Sequence, residues 1–266
     1  MSIINETYHN LSNFKNQFKT EKPFPHLILD NFLNEDYFRD LKLDHLINFK
    51  DNGKSFNTDA EKEKWISKNV GLPKLVSKIV NELNSDKWVQ NLKSLTDIES
   101  LFATDVGNTD LANYHEMYKN GFLGSHVDHS SDPKTGAPHV LNIILYLTQN
   151  WNNDWGGNTV FMSKNGKKII KEISYTPNRA VLFLHTPYSF HGVTKLENNK
   201  NKRSTIYVDY YSENKDPYQN YKLDFGTKFF HHGTCFVLPK TMDYLKPKNF
   251  YYLRTRLGYF INRIVK

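Results

Sequence analysis

Cysteine is almost missing from this chain: Cys235 stands alone among 266 residues. One thiol cannot close an intrachain disulfide or build a zinc site of paired cysteines. Any metal must therefore be held mainly by His, Asp or Glu, and the usage fits a reducing cytosol. Long apolar runs are missing too. No stretch approaches the roughly eighteen residues of a membrane helix, and Met1-Ser-Ile-Ile-Asn-Glu-Thr7 lacks a basic region followed by an apolar one. The expectation is a cytoplasmic chain. Acidic residues run short in one region only. From Phe225 to Lys266 eight Lys or Arg face the single Asp243, which accounts for the whole net charge of +7. The preceding residues balance, so a nucleic-acid partner is disfavoured: such proteins more often spread basic residues over their main face.

With 38% apolar and 24% charged residues, the chain can bury one sizeable core. Pro23 to Leu33 reads as a short strand. Asn34 can cap a helix with Tyr37, Phe38 and Leu41 at helical spacing, and Leu43, Leu46 and Ile47 follow on an adjacent face. Asp51 to Asn69 is highly charged and reads as a loop with a weak helix. Leu72, Leu75, Val76, Ile79, Val80 and Leu83 form an amphipathic stripe with Pro73 in the first turn, and another short helix surrounds Trp88, Val89 and Leu92.

After about Asp97, segments rich in β-branched and aromatic residues recur between Gly, Asn and Pro. They are Leu101–Thr104, Ala112–Tyr118, Gly124–Asp128, Val140–Thr148, Asn158–Met162, Ile169–Ser174, Arg179–His185, His191–Leu196 and Ser204–Tyr211. Helices followed by antiparallel strands indicate an α+β, mainly β chain whose functional half is a sandwich or barrel. There is no internal repeat, and Glu197–Lys202 is a polar turn between strands.

His126-Val127-Asp128 places an imidazole and a carboxylate on one face of a strand, where residues i and i+2 point the same way. His191 opens a later strand that antiparallel pairing can bring alongside. Two His and one carboxylate, with three positions left open, suit a non-haem Fe(II) oxygenase. Twelve residues further on, Arg203 and Thr205 share one strand face, so a permanent cation and a hydroxyl can point inward together. A buried Arg needs an anionic partner.

In order and spacing, Tyr118-Lys-Asn-Gly121, His126-Val-Asp128, Leu145-Tyr-Leu-Thr148, Trp155-Gly-Gly-Asn-Thr159, His191-Gly-Val193 and Arg203-Ser-Thr205 resemble the Fe(II)- and 2-oxoglutarate-dependent dioxygenases, in the branch similar to prolyl 4-hydroxylases. The resemblance covers roughly Leu111 to Tyr211, and the lead-in from Pro23 to Leu33 also looks like the family's. It implies a double-stranded β-helix, a jelly-roll-like barrel, with N-terminal covering helices over residues 34–95, the barrel at about 98–212 and a basic C-terminal extension at 213–266. The oxygenase domain would then span 1–212.

By the same resemblance His126, Asp128 and His191 bind iron, and Arg203 pairs with the distal carboxylate of 2-oxoglutarate. Tyr146 shares that carboxylate, Tyr118 lies near the metal-binding end of the cosubstrate, and Thr205 is the hydroxyl that follows the basic residue. Asn142 stands where relatives often carry threonine. Prolyl 4-hydroxylases proper often have Lys where this chain has Arg203, so a prolyl substrate is not inherited. The implied activity consumes O2 and 2-oxoglutarate, releases succinate and CO2, and hydroxylates a C–H bond. Asp128 leaves no ligand position vacant for a halide. The alternative from another class is a catalytically inactive metal-binding barrel that serves as an interaction module.

Other histidines compete with this set. His185, on the strand before His191, reads mainly as a structural strand-end residue and secondarily as a spare ligand. His129 and His139 bracket the polar loop Ser130–Pro138 beside the proposed metal, a place where loops set substrate choice. His115 reads as a strand residue and His231-His232 as part of the basic tail. Trp151 and Trp155 can stack on a sugar or pack their loop. Phe250, Leu253, Leu257, Phe260, Ile261 and Ile264 share one helical face. A helix docked on the protein is favoured there over one that lies peripherally on a membrane or anionic partner. The substrate is unidentified.

Overall fold

Alternation along one strand organises the molecule. In β6 (His139–Tyr146) every residue is buried. Leu141, Ile143 and Leu145 face a core built with the helices, while Ile144 and Tyr146 face a second core inside the barrel. A strand covered on both sides reads as a near-continuous apolar run, as Val140–Tyr146 does apart from Asn142. β9 (Ala180–Leu184) repeats the pattern, with Leu182 and Leu184 towards the helices and Val181 and Phe183 inward.

The structure, a computed structural model, describes residues 2–41, 53–105, 111–132, 134–197, 201–214, 217–218, 221 and 234–237. Its main sheet runs β1 (His26–Leu29), β9, β6, β11 (Arg203–Ser212), β5 (Tyr114–Val127), β10 (His191–Val193), β7 (Thr159–Met162) and β8 (Ile169–Ile173), each pair antiparallel. The molecule is mainly β, a strongly curled antiparallel sheet of double-stranded β-helix type. β5 joins its two halves. Tyr114 to Met117 pair with β11, and Leu123 to His126 pair with β10. The sequence reading ends one segment at Tyr118 and opens the next at Gly124. The chain instead continues through, with Asn120 at φ 66°, and a Cβ on Gly121 would fall 2.7 Å from the Tyr118 carbonyl oxygen. The turn signal marks an irregularity inside a strand.

The helices cover one face. Asn34 caps α2 (Glu35–Arg39) by accepting from the amides of Asp36 and Tyr37. α3 (Lys74–Leu83) buries Val76, Ile79, Val80 and Leu83, with Pro73 at its cap position. α4 (Asp86–Thr96) buries Trp88, Val89 and Leu92. An earlier helix, α1 (Lys15–Thr20), precedes the expected covering layer and buries Phe18.

The expectation of a loop with a weak helix at Asp51–Asn69 is corrected. β2 (Gly53–Phe56) and β3 (Glu61–Ser67) form a hairpin whose second strand pairs with β5. Charged residues hide the alternation, and the open edge of β5 supplies the pairing that local propensity does not. β4 (Leu101–Ala103) adds to β11. Beyond residue 212, β12 (Cys235–Phe236) also pairs with β5, and Tyr221 packs into the helix-side core. The proposed tail helix, His231-His232 and the residues Leu43, Leu46 and Ile47 lie outside the described residues. Among the described residues no helix is long and apolar enough to cross a membrane.

Sheet and helices are tied by a buried relay: the Trp88 indole N–H donates to Tyr210 Oη at 2.9 Å, and that hydroxyl donates to the Leu83 carbonyl at 2.8 Å. Tyr210→Phe strands both partners, so it should destabilise the fold by about 2 kcal/mol, read as a lower urea midpoint with unchanged slope.

Candidate metal and anion site

Register builds the first half of the site. His191 on β10 sits directly opposite His126 on β5, and Asp128 follows two residues later on the same face. The Nε2 atoms of His126 and His191 lie 3.3 Å from Oδ1 and Oδ2 of Asp128 respectively. The three side chains are buried, and their ligand atoms fall within 4.8 Å of one another.

Each imidazole is oriented from behind. His126 Nδ1 is 2.8 Å from the Gly124 carbonyl oxygen and His191 Nδ1 is 3.0 Å from that of Ser189. Only an N–H satisfies a carbonyl, so both Nε2 lone pairs are free to face an ion. Asp128 Oδ2 accepts from the Asn142 amide at 2.9 Å and from the Tyr207 hydroxyl at 2.8 Å.

Charge and burial compete here. Burial pushes the Asp128 carboxyl up, but His191 and His126 beside it outweigh that and hold it well below the usual carboxylate range. Burial, helped by His191, pulls His126 down. Burial lowers His191 as well, and the Asp128 charge reverses the sign, leaving it raised. A divalent cation would take the place of any proton shared among the three.

Arg203 forms the other half. It opens β11, is buried, and donates from Nε to the Gly157 carbonyl at 2.7 Å and from Nη2 to Thr159 Oγ1 at 3.3 Å. Its guanidinium lies 5.3 Å from the ring centroids of both Tyr146 and Tyr175. Among the described residues no carboxylate lies within ion-pair distance of it. Burial pulls its pKa down, yet a guanidinium stays charged under any ordinary condition. A buried cation without a counter-ion is a site for an anion. Tyr146 donates its hydroxyl to the same Thr159 Oγ1 at 2.6 Å, so Tyr146, Thr159 and Arg203 converge.

One cavity is lined by His126, Asp128, His191, Arg203, Thr205 and Tyr207, among others. The donor set of two imidazoles and a carboxylate fits Fe(II), and the open cavity leading to an unpaired cation fits a chelating dicarboxylate. Gly157, at φ 70°, makes the approach close: a Cβ there would lie 3.2 Å from Arg203 Cδ and from the Trp151 ring.

The remaining sequence candidates are placed differently. Asn142 spends its amide on Asp128 and Tyr207. Tyr118 is 36% exposed, donates its hydroxyl to Glu116, and is not among the cavity's lining residues. Both nitrogens of His185 face carbonyls, those of His139 and Asp128, at 3.0 and 3.4 Å. Trp151 packs against Tyr175 with ring centroids 4.2 Å apart.

Sequence reasoning missed Tyr207 and His115. Tyr207 continues the alternation of Arg203 and Thr205, which was the available signal. His115 lines the cavity, stacks on Tyr207 at 5.7 Å, and is held neutral with its pKa pulled by burial and Lys64 to about 3.

Comparison with known proteins points the same way. Residues 111–209 match the family model of the 2OG-Fe(II) oxygenase superfamily. No curated protein matches the chain. Among solved structures, a Pseudomonas putida prolyl-4-hydroxylase is 14% identical, with 77% of this chain and 100% of that one covered at a TM-score of 0.58. A 2OG-Fe(II) oxygenase family oxidoreductase from Burkholderia pseudomallei is 13% identical, with 79% and 94% covered at 0.54. A Trichoplax adhaerens prolyl hydroxylase, solved with a hypoxia inducible factor peptide fragment, is 18% identical, with 78% and 92% covered at 0.53. At these identities the likeness is one of fold.

Proposed function

We propose that this chain, which carries a domain of the 2OG-Fe(II) oxygenase superfamily over residues 111–209, is an Fe(II)- and 2-oxoglutarate-dependent hydroxylase. The observation that carries the reading is the sharing of one cavity by the His126, Asp128, His191 cluster and the unpaired Arg203. An inactive barrel has no need of both halves.

Bound iron, with O2 and 2-oxoglutarate, supplies the oxidising power for C–H hydroxylation while 2-oxoglutarate becomes succinate and CO2. The chain's own residues do the positioning. His126, Asp128 and His191 would hold the metal. Arg203 takes the distal carboxylate of the cosubstrate, with Tyr146 and Thr205 beside it. Asn142 and Tyr207 fix the orientation of Asp128. The apolar walls supplied by Ile144 and Val193 keep water from the reacting centre.

The substrate C–H bond would enter by the side of the cavity lined by Leu123, Val193 and Thr234. Peptide and small-molecule substrates both remain in scope, and the single cysteine supports placement in a reducing compartment. Succinate release from 2-oxoglutarate and O2 should be stimulated at least tenfold by one member of a metabolite and peptide panel, and Asp128→Ala should abolish it. A panel without any stimulation, in protein that binds both iron and 2-oxoglutarate normally, would favour the inactive barrel.

A further inference from the structure

A second group of metal-binding side chains converges just behind Asp128. His129 and His139 bring their Nε2 atoms to 3.6 and 3.2 Å from Oδ2 and Oδ1 of Asp209 on β11. The ligand atoms of all three lie within 4.8 Å of one another. Local folding explains the meeting. The loop between the two histidines closes on itself, with the Asp132 amide donating to the Ala137 carbonyl at 2.9 Å and Ser131 bridged to Pro138. The rings of His129 and His139 therefore stack at 4.8 Å. On β11, Asp209 continues the face of Arg203, Thr205 and Tyr207. A register shift between Tyr210 and Tyr211 sets His139 opposite Tyr211, and such a shift turns the strand end towards that face.

His139 Nδ1 is 2.8 Å from the His129 carbonyl oxygen and so carries the proton, which frees the Nε2 lone pair. The His139 side chain is 0% exposed and its Nε2 stands 3.2 Å from Asp209 Oδ1. Burial lowers His139, but the Asp209 charge beside it outweighs that and leaves it raised, so the metal-free pair shares a proton. A divalent cation between them displaces that proton and takes both lone pairs. Ligands on a tetrahedral ion with bonds of about 2.0–2.1 Å stand roughly 3.3 Å apart, close to both separations seen here. Tyr211 Oη, 2.9 Å from His129 Nε2, stands beside the fourth position.

We propose that His129, His139 and Asp209 form a second metal site, separate from the iron centre, that takes a borderline-soft divalent cation of the zinc type. Two neutral imidazoles and one carboxylate are zinc ligands. The site staples the segment after β5 to the start of β6 and to β11. It also reaches the iron centre through Tyr207, which shares the β11 face of Asp209 and donates its hydroxyl to Asp128 Oδ2 at 2.8 Å. A cation on Asp209 would thus fix the strand that orients Asp128.

The test titrates metal-free full-length protein with Co(II), reading bound metal by elemental analysis and by the visible absorption of tetrahedral cobalt. The wild type should bind two equivalents, and His129→Gln and Asp209→Asn one each. His191→Ala should keep the tetrahedral absorption, and the His191→Ala, His129→Gln double variant should lose it. Zinc should raise the melting temperature of His191→Ala but not that of the double variant. His129, with a side chain 26% exposed, is the replacement least able to disturb folding. A stoichiometry in both His129→Gln and Asp209→Asn equal to that of the wild type overturns the proposal. The iron reading fails separately, by His191→Ala retaining both equivalents.

Discussion

Arg203→Ala is expected to weaken 2-oxoglutarate binding by about 2–5 kcal/mol, roughly thirty- to several-thousand-fold, while iron stays bound. The size follows from what the guanidinium faces. It is buried, its Nε and Nη2 are held by Gly157 and Thr159, and two tyrosine rings flank it. None of these neighbours is a carboxylate. An incoming carboxylate therefore meets a desolvated cation already aimed, and removing that cation leaves the carboxylate buried and unpaired. Arg203→Lys should recover part of the loss but not the paired N–H geometry. Calorimetric titration on the iron-loaded protein, or with manganese as a redox-silent substitute, checks this. Wild-type affinity in Arg203→Ala would remove Arg203 from the cosubstrate site.

His126→Ala, Asp128→Ala and His191→Ala should each lower iron affinity more than about 100-fold, beyond what loss of an outer-shell partner costs a metal site. Asp128 should be the most sensitive, because its two oxygens each stand 3.3 Å from one imidazole. It also supplies the only negative charge in that set. Iron content after anaerobic loading and desalting decides the matter. Unchanged occupancy in two of the three variants would mean the metal sits elsewhere. His185 would then be the first residue to test, although carbonyls face both its nitrogens.

The grouping of His126, Asp128 and His191 was legible because strand alternation and order along the chain are sequence properties. His126 and Asp128 must share a face if they lie on a strand, and Arg203 and Thr205 likewise. What periodicity cannot provide is the pairing between strands. Sequence allows His191 to stand beside His126, and the register of β10 on β5 sets the two directly opposite. The hairpin at Gly53–Ser67 was read as loop and weak helix because its charged residues carry no alternation, and only its neighbour β5 makes it a strand. The break between the segments Ala112–Tyr118 and Gly124–Asp128 rests on Gly and Asn as boundary residues, which also serve an irregularity within a strand. Tyr207 and Asp209 needed the alternation from Arg203 to be carried four residues further. Tyr118 followed the resemblance, and the fold instead aims its hydroxyl at Glu116.

β5 runs for fourteen residues through both halves of the sheet. Strands flank it on each side: β11 and then β10 along one edge, β3 and then β12 along the other. Such a strand has no inexpensive way to fray at either half, because freeing the stretch around Met117 or around His126 breaks pairings with two neighbours at once. Amide protons around Met117 and His126 should therefore exchange with deuterium only through global unfolding, while those of the edge strand β8 exchange through smaller openings. His126 would then sit in the slowest-opening part of the molecule. Motions that admit substrate would be left to the loops around the cavity mouth.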